Sequence, residues 1–248
     1  MPGAGSYDGK VVLVTGSSSG IGEAVAHAFD DLGATVVVNS STSVAAGEAV
    51  AASLRSGSYV QGTVNGDEAA AAALIDSVLE AHGRLDVLIN NAGTTAVIPH
   101  HDLEAASVDE WRRIFEVNVF GTWAITVAAA GALRAAKGSV INMGSIAGLR
   151  ATGSSIPYAS SKAALHHMTI LLAKTLGPDV RVNAVAPGLV DTPWTADWDF
   201  VREVVHQVAP LKRSATPEDV AEVVVDLASA AYVTGQVVAV DGGLNIAT

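Results

Sequence analysis

Short runs of β-branched and aliphatic residues alternate with longer, alanine-rich stretches along the whole chain. The short runs read as strands buried on both faces, which is typical of a parallel sheet covered by helices. This alternation predicts an α/β fold with a doubly wound, parallel, seven-stranded sheet. The predicted strands are Lys10–Thr15, Thr35–Asn39, Tyr59–Val64, Leu85–Asn90, Ser139–Met143, Val180–Ala186 and Gln236–Val240.

The stretches between these runs show helical spacing, and several begin with a residue that can cap a helix. Asp67, Ser107 and Thr216 are the expected caps, and Pro217 suits a first helical position. In such sheets a ligand binds at the carboxyl ends of the strands, so chemistry is expected just after each strand. The predicted helices are Gly22–Leu32, Glu68–Ala81, Val108–Ala135, Tyr158–Leu176 and Pro217–Ala228.

Composition excludes several classes of function. The 248 residues suit one domain, 1–248, and carry a net charge of -11 without a basic stripe, which argues against a nucleic acid partner. Cysteine is absent, which excludes disulfides and thiolate metal sites. We find neither a signal peptide nor a run of about 18 apolar residues, so we expect a cytoplasmic location and no membrane association. Only 16% of residues are charged, which suggests that sister subunits cover part of the surface.

The stretch from Trp194 to Ala215 interrupts the alternation and contains Trp194, Trp198 and Phe200. These aromatic residues could pack in the fold or at an oligomer contact. They could also belong to a short mobile lid, at about 191–215, over a substrate pocket. The sequence leaves both interpretations open.

A glycine-rich loop, Thr15-Gly-Ser-Ser-Ser-Gly-Ile-Gly22, follows the first predicted strand. Glycines allow a tight turn and a close approach of the backbone to a pyrophosphate, while the next helix presents free N–H groups to the phosphates. At the first strand–helix junction of an α/β chain, this loop favours a bound dinucleotide over a plain turn.

Tyr158 and Lys162 lie four residues apart in a predicted helix and therefore share one face. A nearby ammonium group favours phenolate over phenol, so Lys162 is expected to lower the pKa of Tyr158. A tyrosine that exchanges a proton suits the interconversion of a carbonyl and an alcohol.

Together these motifs resemble the short-chain dehydrogenase/reductase family of the classical type, and especially its 3-oxoacyl-carrier-protein reductases. The resemblance covers nearly the whole chain. It implies a Rossmann-type fold, an NAD(P)(H)-dependent reaction between a ketone and a secondary alcohol, a small-molecule substrate and a homotetramer. The motifs are Thr15-Gly16-x-x-x-Gly20-x-Gly22, Asn90-Asn91-Ala92-Gly93, Asn118, Ser145, Tyr158-x-x-x-Lys162, Pro187–Thr192 and the ending Thr234–Gly243.

The resemblance also implies roles for individual residues. Ser145 would hold and polarise the substrate carbonyl, and Tyr158 would exchange the proton. Lys162 would bond the nicotinamide ribose, and Asn118 would hold a water for proton relay. The residues expected to bind the cofactor are Gly16, Ser18, Ser19, Gly20, Ile21, Asn39, Ser40, Ser41, Val64, Asn90, Ala92, Gly93, Tyr158, Lys162, Pro187, Gly188, Val190 and Thr192.

The end of the second strand bears on the choice between NADP and NAD. A carboxylate there would repel a 2′-phosphate, but its position is occupied by Ser40. The basic residues common in NADP-preferring relatives are also missing, because Ser19 and Ser41 stand at those positions. The sequence favours NADP and leaves NAD open.

Alternatives to this enzyme are a catalytically silent nucleotide-binding protein of the same fold and a related epimerase or dehydratase. The adjacent histidines of His100-His101 and His166-His167 chelate a metal poorly, so no metal site is expected. Arg150 is the nearest cation for a substrate anion, and Lys212 and Arg213 could form a small docking patch for a carrier protein. The expected substrate pocket consists of Thr94, Thr95, Ile146, Ala147, Thr152, Leu189, Trp194 and Trp198.

Overall fold

Seven parallel strands form the sheet at the centre of the fold. The structure is a computed structural model that describes residues 2–3 and 5–247. The strands lie in the order β3-β2-β1-β4-β5-β6-β7, and every neighbouring pair is parallel. The predicted doubly wound α/β sheet is therefore confirmed. The strands are β1 (Val11–Val14), β2 (Thr35–Ser40), β3 (Gly57–Gln61), β4 (Val87–Asn90), β5 (Ser139–Met143), β6 (Arg181–Pro187) and β7 (Val237–Val240).

Strand β3 departs most from its prediction, Tyr59–Val64, because it begins at Gly57 and ends at Gln61. The amide of Asn39, in β2, explains the early end. Its Nδ2 donates to the carbonyl oxygens of Val60 at 3.1 Å and Gly62 at 3.0 Å. This side chain takes over from the strand ladder and turns the chain into a loop at the carboxyl edge.

Helices cover both faces of the sheet. Helices α1 and α8 pack together on one face, where Phe29 and Val224 are buried, while α3 and α5 pack on the other with Ile75 and Ile125. The predicted caps Asp67, Ser107 and Thr216 all accept backbone N–H groups in their first turns. The helices are α1 (Gly20–Asp31), α2 (Val44–Ser53), α3 (Glu68–His82), α4 (Val108–Phe115), α5 (Thr122–Ala136), α6 (Ile156–Leu176), α7 (Asp199–Val208) and α8 (Pro217–Ser229).

A short π-helix, Glu116–Gly121, joins α4 to α5 where the sequence predicted one regular helix. Gly121 allows this segment to approach the chain after β3, because a Cβ there would lie 2.9 Å from the backbone at Val64 and Asn65. By length and composition alone, the run Val108–Ala136 could cross a membrane. In the fold, its residues Ile125 and Leu133 are fully buried in the core, and a core helix passes the same test.

Helix α1 lies very close to the end of β4, and Gly22 permits this approach. A Cβ on Gly22 would lie 2.6 Å from both Asn91 Nδ2 and the carbonyl oxygen of Gly16, and 2.7 Å from Ser17 Cα. Two of these three contacts are with backbone atoms, which cannot move aside as a flexible side chain can. By contrast, a Cβ on Gly131, in α5, would meet no atom within 4 Å.

Replacement of Gly22 and replacement of Gly131 by alanine are therefore expected to change the free energy of unfolding in opposite directions. Gly22→Ala should lower the free energy of unfolding by about 1–3 kcal/mol, because overpacking outweighs the better helix propensity of alanine. Gly131→Ala, the matched control, should raise it by about 0.5–1 kcal/mol. Urea unfolding measures both changes. Stabilisation by both substitutions would contradict the close packing at Gly22.

Candidate active site

Hydrogen bonds from Asn91, at the end of β4, fix the conformation of the glycine loop after β1. Gly16 and Gly20 adopt left-handed backbone angles, with φ of 62° and 60°. Asn91 Nδ2 donates to the carbonyl oxygens of Thr15 at 3.0 Å and Gly16 at 2.8 Å. Helix α1 then starts at Gly20, so its first N–H groups lie beside this loop. Asn91 belongs to the predicted motif Asn90–Gly93 but not to the residues predicted to bind the cofactor; its position after β4, beside β1, signals its contact with the loop.

A cavity of about 1200 Å³ opens at the carboxyl edge of the sheet, from the glycine loop to Trp194 and Trp198. It is lined by every residue predicted to bind the cofactor except Asn90. Ser145, Tyr158 and Lys162 line it as well, and so do all eight predicted substrate-pocket residues. The structure therefore brings nearly all of the predicted site together in one cavity.

Asn90 is a core residue rather than part of the cavity wall. It is 3% exposed, and its Nδ2 donates to Thr126 Oγ1 at 3.0 Å and to Asn142 Oδ1 at 2.9 Å. These bonds tie β4 to β5 and to α5. The side chain of Asn90 thus supports the centre of the sheet, and its contact with the cofactor stays a prediction.

At the end of β2, two polar side chains are bonded inside the fold and a third is exposed to the cavity. Asn39 Oδ1 accepts the N–H of Gly16 at 3.3 Å, so its amide supports the glycine loop from below. Ser40 Oγ lies 2.9 Å from the hydroxyl of Tyr59 and is buried. Ser41 follows as an exposed residue on the cavity wall.

Tyr158 and Ser145 share a hydrogen bond at the carboxyl end of β5. Ser145 caps a single 3₁₀ turn, and its Oγ accepts the N–H of Ala147 at 3.1 Å. Desolvation of the phenol raises the pKa of Tyr158 above its ordinary value, and the bond to Ser145 lowers it by less. The tyrosine is therefore a phenol at neutral pH, with its proton available.

Lys162 is buried in the wall of the cavity, one turn beyond Tyr158. Its Nζ donates to the carbonyl oxygen of Met143 at 2.8 Å and lies 5.7 Å from the centroid of the Tyr158 ring. Burial lowers the pKa of Lys162 itself to about 8. Burial is the largest influence on the pKa of Tyr158 here, so the predicted lowering of that pKa by Lys162 stays a prediction.

Asn118 lies in the π-helix and clamps two segments together. Its Nδ2 donates to the carbonyl oxygen of Thr94 and to Ser161 Oγ, both at 3.0 Å, and its Oδ1 accepts the N–H of Thr94 at 2.8 Å. These bonds join the loop after β4 to α6. Asn118 is not among the residues that line the cavity, so its predicted role in holding a water stays a prediction.

Helix α7 and its flanking turns form the outer wall of the cavity at its substrate end. Trp194, Trp198 and Phe200 all line it, and Phe200 is 82% exposed. The carboxylate of Asp191, before α7, accepts hydrogen bonds from Ser214 Oγ, after α7, at 2.8 Å and from Arg202 Nε, within α7, at 2.8 Å.

Charged groups are sparse along the cavity. Among the described residues that line it, Lys162 is the only lysine or arginine and Asp197 the only carboxylate. Arg150 lies outside this lining, and its Nη1 donates to the carbonyl oxygen of Leu244 at 2.6 Å. The described residues of the cavity wall therefore include no arginine that could bind a substrate anion.

The cavity fits a nicotinamide dinucleotide by several independent features. Its volume exceeds the roughly 300–1,000 Å³ of ordinary ligand pockets, which leaves room for a second small molecule. The start of α1 and the left-handed glycines present N–H groups to a pyrophosphate. Gly93 also lines the cavity, and a Cβ there would contact Lys162 Nζ at 3.7 Å.

Comparison with known proteins agrees with this geometry. Residues 16–245 match the family model described as enoyl-(acyl carrier protein) reductase. A protein of Streptomyces violaceoruber, described provisionally as ketoacyl reductase 2 of the granaticin polyketide synthase, is 54% identical, with 96% of this chain and 97% of the relative covered.

Two solved structures share the whole fold. A protein of Burkholderia xenovorans, described provisionally as a short-chain dehydrogenase/reductase, superposes with a TM-score of 0.89 at 38% identity, covering 96% of this chain and 98% of its own. The 3-ketoacyl-(acyl-carrier-protein) reductase of Brucella melitensis, complexed with NADH, gives 0.90 at 30% identity, covering 97% and 100%. With the paired Ser145 and Tyr158 beside a dinucleotide-sized cavity, these matches identify the chain as a member of the short-chain dehydrogenase/reductase family.

Proposed function

We propose that this protein is a nicotinamide-dependent oxidoreductase that interconverts a ketone and a secondary alcohol. The observation that carries the proposal is the hydrogen-bonded pair Tyr158 and Ser145, which opens into a dinucleotide-sized cavity beside Lys162. A bound nicotinamide supplies or accepts the hydride. The chain supplies the proton and the groups that hold the carbonyl.

In the direction of reduction, the two hydroxyls act on one carbonyl oxygen. Ser145 donates a hydrogen bond to that oxygen and polarises it, and Tyr158 transfers its proton to it as negative charge develops. The raised pKa of Tyr158 keeps the phenol protonated at neutral pH, which suits a proton donor. Lys162 places a positive charge in the same wall, where it stabilises the phenolate left behind.

The substrate we propose is a ketone carried on an acyl chain. The relative at 54% identity, provisionally a ketoacyl reductase of a polyketide synthase, supports this class. The aromatic and aliphatic wall formed by Trp194, Trp198 and Leu189 suits an uncharged chain. Lys212 and Arg213 are engaged with Gln207 and Asp219 of their own chain, which leaves less charge for docking a carrier protein.

A catalytically silent nucleotide-binding protein is the second candidate, and Tyr158 distinguishes the two. Tyr158→Phe should lower kcat for ketone reduction by about 10²–10⁴-fold, because the proton donor is lost. Steady-state oxidation of NADPH with a panel of ketones measures this, and fluorescence titration should show unchanged cofactor binding. Tyr232→Phe, at a fully exposed tyrosine, is the matched control and should retain full activity. Full turnover by Tyr158→Phe would refute the mechanism, whereas cofactor binding without turnover of any ketone by the native enzyme would favour the silent protein.

We propose NADP(H) as the preferred cofactor. The wall at the end of β2 carries Ser40, Ser41, Thr42 and Ser43, and the first N–H groups of α2 lie beside them. These donors suit a 2′-phosphate. None of the described residues of this wall carries a carboxylate that would repel the phosphate.

Substituting the exposed Ser41 by opposite charges tests this preference. Ser41→Arg should raise kcat/KM for NADPH relative to NADH by about tenfold, because it adds the missing cation. Ser41→Asp should shift the ratio towards NADH by a similar factor, since it repels the phosphate. Both ratios come from steady-state kinetics with one ketone. If each variant changed kcat/KM for NADPH and for NADH by the same factor, a phosphate site at Ser41 would be refuted.

We also propose that the chain forms a homotetramer in the cytoplasm. Phe120, Trp123 and Val127 stand half exposed along the π-helix and α5, and Leu171 does so on α6. Apolar side chains in contiguous rows on a helix surface are typical of subunit contacts. The segment at about 191–215 is proposed as the lid of each subunit.

A charge in this face is expected to break the assembly. Trp123→Glu should convert the tetramer into smaller species, because a buried interface does not tolerate an unpaired carboxylate. Size-exclusion chromatography with light scattering gives the mass directly. Phe200→Glu, on the exposed part of α7, is the matched control and should leave the mass unchanged. A tetramer with Trp123→Glu would place the interface elsewhere.

A further inference from the structure

Helix α6 is joined to the end of β5 by a row of polar side chains one turn apart. Tyr158 bonds Ser145, and Lys162 donates to the carbonyl oxygen of Met143. Thr169, two turns beyond Lys162, accepts Asn142 Nδ2 at 2.9 Å. Between Lys162 and Thr169 lies His166, which has no part in the mechanism described above.

His166 lies directly behind Ser145. The backbone N–H of Ser145 donates to His166 Nε2 at 3.4 Å, and the histidine is 6% exposed. Two glycines make room for the ring, since a Cβ at Gly144 would overlap Nε2 and a Cβ at Gly148 would lie 2.8 Å from Cε1. The chain after β5 is thus shaped around this imidazole.

The contact with Ser145 determines which ring nitrogen carries the proton. A nitrogen that accepts an N–H bond has a free lone pair, so Nε2 is unprotonated and the proton of the neutral ring is on Nδ1. Nδ1 is buried and makes no hydrogen bond of ordinary geometry. The backbone of Gly148 is the other polar group that acts on the ring.

We propose that His166 is a positioning residue, which holds Ser145 in register with Tyr158 through Nε2 in the Nδ1–H tautomer. The proposal rests on the function proposed above, since it assigns a role in the same site. Ser145 Oγ sits on the residue whose main chain His166 holds. A displaced Ser145 would lose its bond to Tyr158, and this bond is the interaction that lowers the phenol pKa.

The surroundings of His166 keep its ring neutral. Burial, followed by the positive charge of Lys162, lowers the pKa of His166 to about 4, and the backbone of Gly148 opposes this by less. Lys162 is the charged neighbour that acts on the ring, and Tyr158, further along α6, is uncharged at neutral pH. The acceptor at Nε2 is therefore present throughout the pH range in which the enzyme would work.

Three substitutions of His166 separate the acceptor from the volume of the ring. Gln places an oxygen near the position of Nε2, Asn is equally polar but too short to reach, and Leu only fills space. We expect Gln to retain kcat within about threefold, while Asn and Leu lower it roughly 10- to 100-fold with little change in KM for NADPH. In these two variants the apparent pKa of the pH–rate profile should rise, because Tyr158 loses Ser145.

The exposed neighbour His167 is the matched control, and His167→Leu should leave kcat and the pH profile unchanged. Native activity in folded His166→Leu, or equal losses with Gln and Asn, would overturn the proposal. A uniform loss across the series without a change in the pH profile would also overturn it, because that pattern indicates packing alone.

The tautomer can be read in the native chain, without any variant having to fold or turn over a substrate. In protein labelled with ¹⁵N-histidine at pH 7, we expect Nδ1 of His166 to resonate as a protonated nitrogen and Nε2 as an unprotonated one. The His166→Gln spectrum assigns the signals. The opposite pattern, with the proton on Nε2, would overturn the proposal whether or not the enzyme reduces ketones. Conversely, absence of ketone turnover together with the expected tautomer would refute the proposed function and leave the contact with Ser145 standing.

Discussion

The packing of α6 across the carboxyl end of β5 determines where the catalytic groups of the proposed reaction lie. Both elements are buried, and their contact is polar where it approaches the cavity: a lysine on a backbone carbonyl and a tyrosine on a serine. Polar groups buried in this way must be satisfied, because each unmade hydrogen bond costs about 1–3 kcal/mol. The helix therefore has one favourable register on the strand, and that register aligns the phenol with the hydroxyl of Ser145.

A second constraint comes from the close approach of the first strand–helix junction to the end of β4. Gly22 removes the side chain that would separate them, and Asn91 then bonds the carbonyl oxygens of Thr15 and Gly16. The same few atoms thus fix the conformation of the glycine loop and the packing of α1 against the sheet.

Sequence patterns predicted the strands, most helices and many of the residues that line the cavity, because each is encoded locally by periodicity, glycine or a cap. They failed where the outcome depends on distance in space. The bond from Lys162 to the carbonyl oxygen of Met143, and those from Asn90 to β5 and α5, join residues that are far apart in the sequence. Helix α2 was missed because its alanines and valines do not favour one side. His166, discounted as a metal ligand, could gain a role only when Ser145 was seen beside it.

Asp191 starts the segment that covers the substrate end of the cavity, and its carboxylate bonds Ser214 at the far end and Arg202 within α7. These bonds compensate the entropy that is lost when the segment is closed into a loop. Lengthening such a loop costs little further free energy. Within this segment Phe200 is exposed, whereas Val205 and Ala209 are buried. Substrate range can consequently diverge among relatives through changes in this segment alone, while the strands, the glycine loop and the proton-transfer pair stay under separate selection for stability and chemistry.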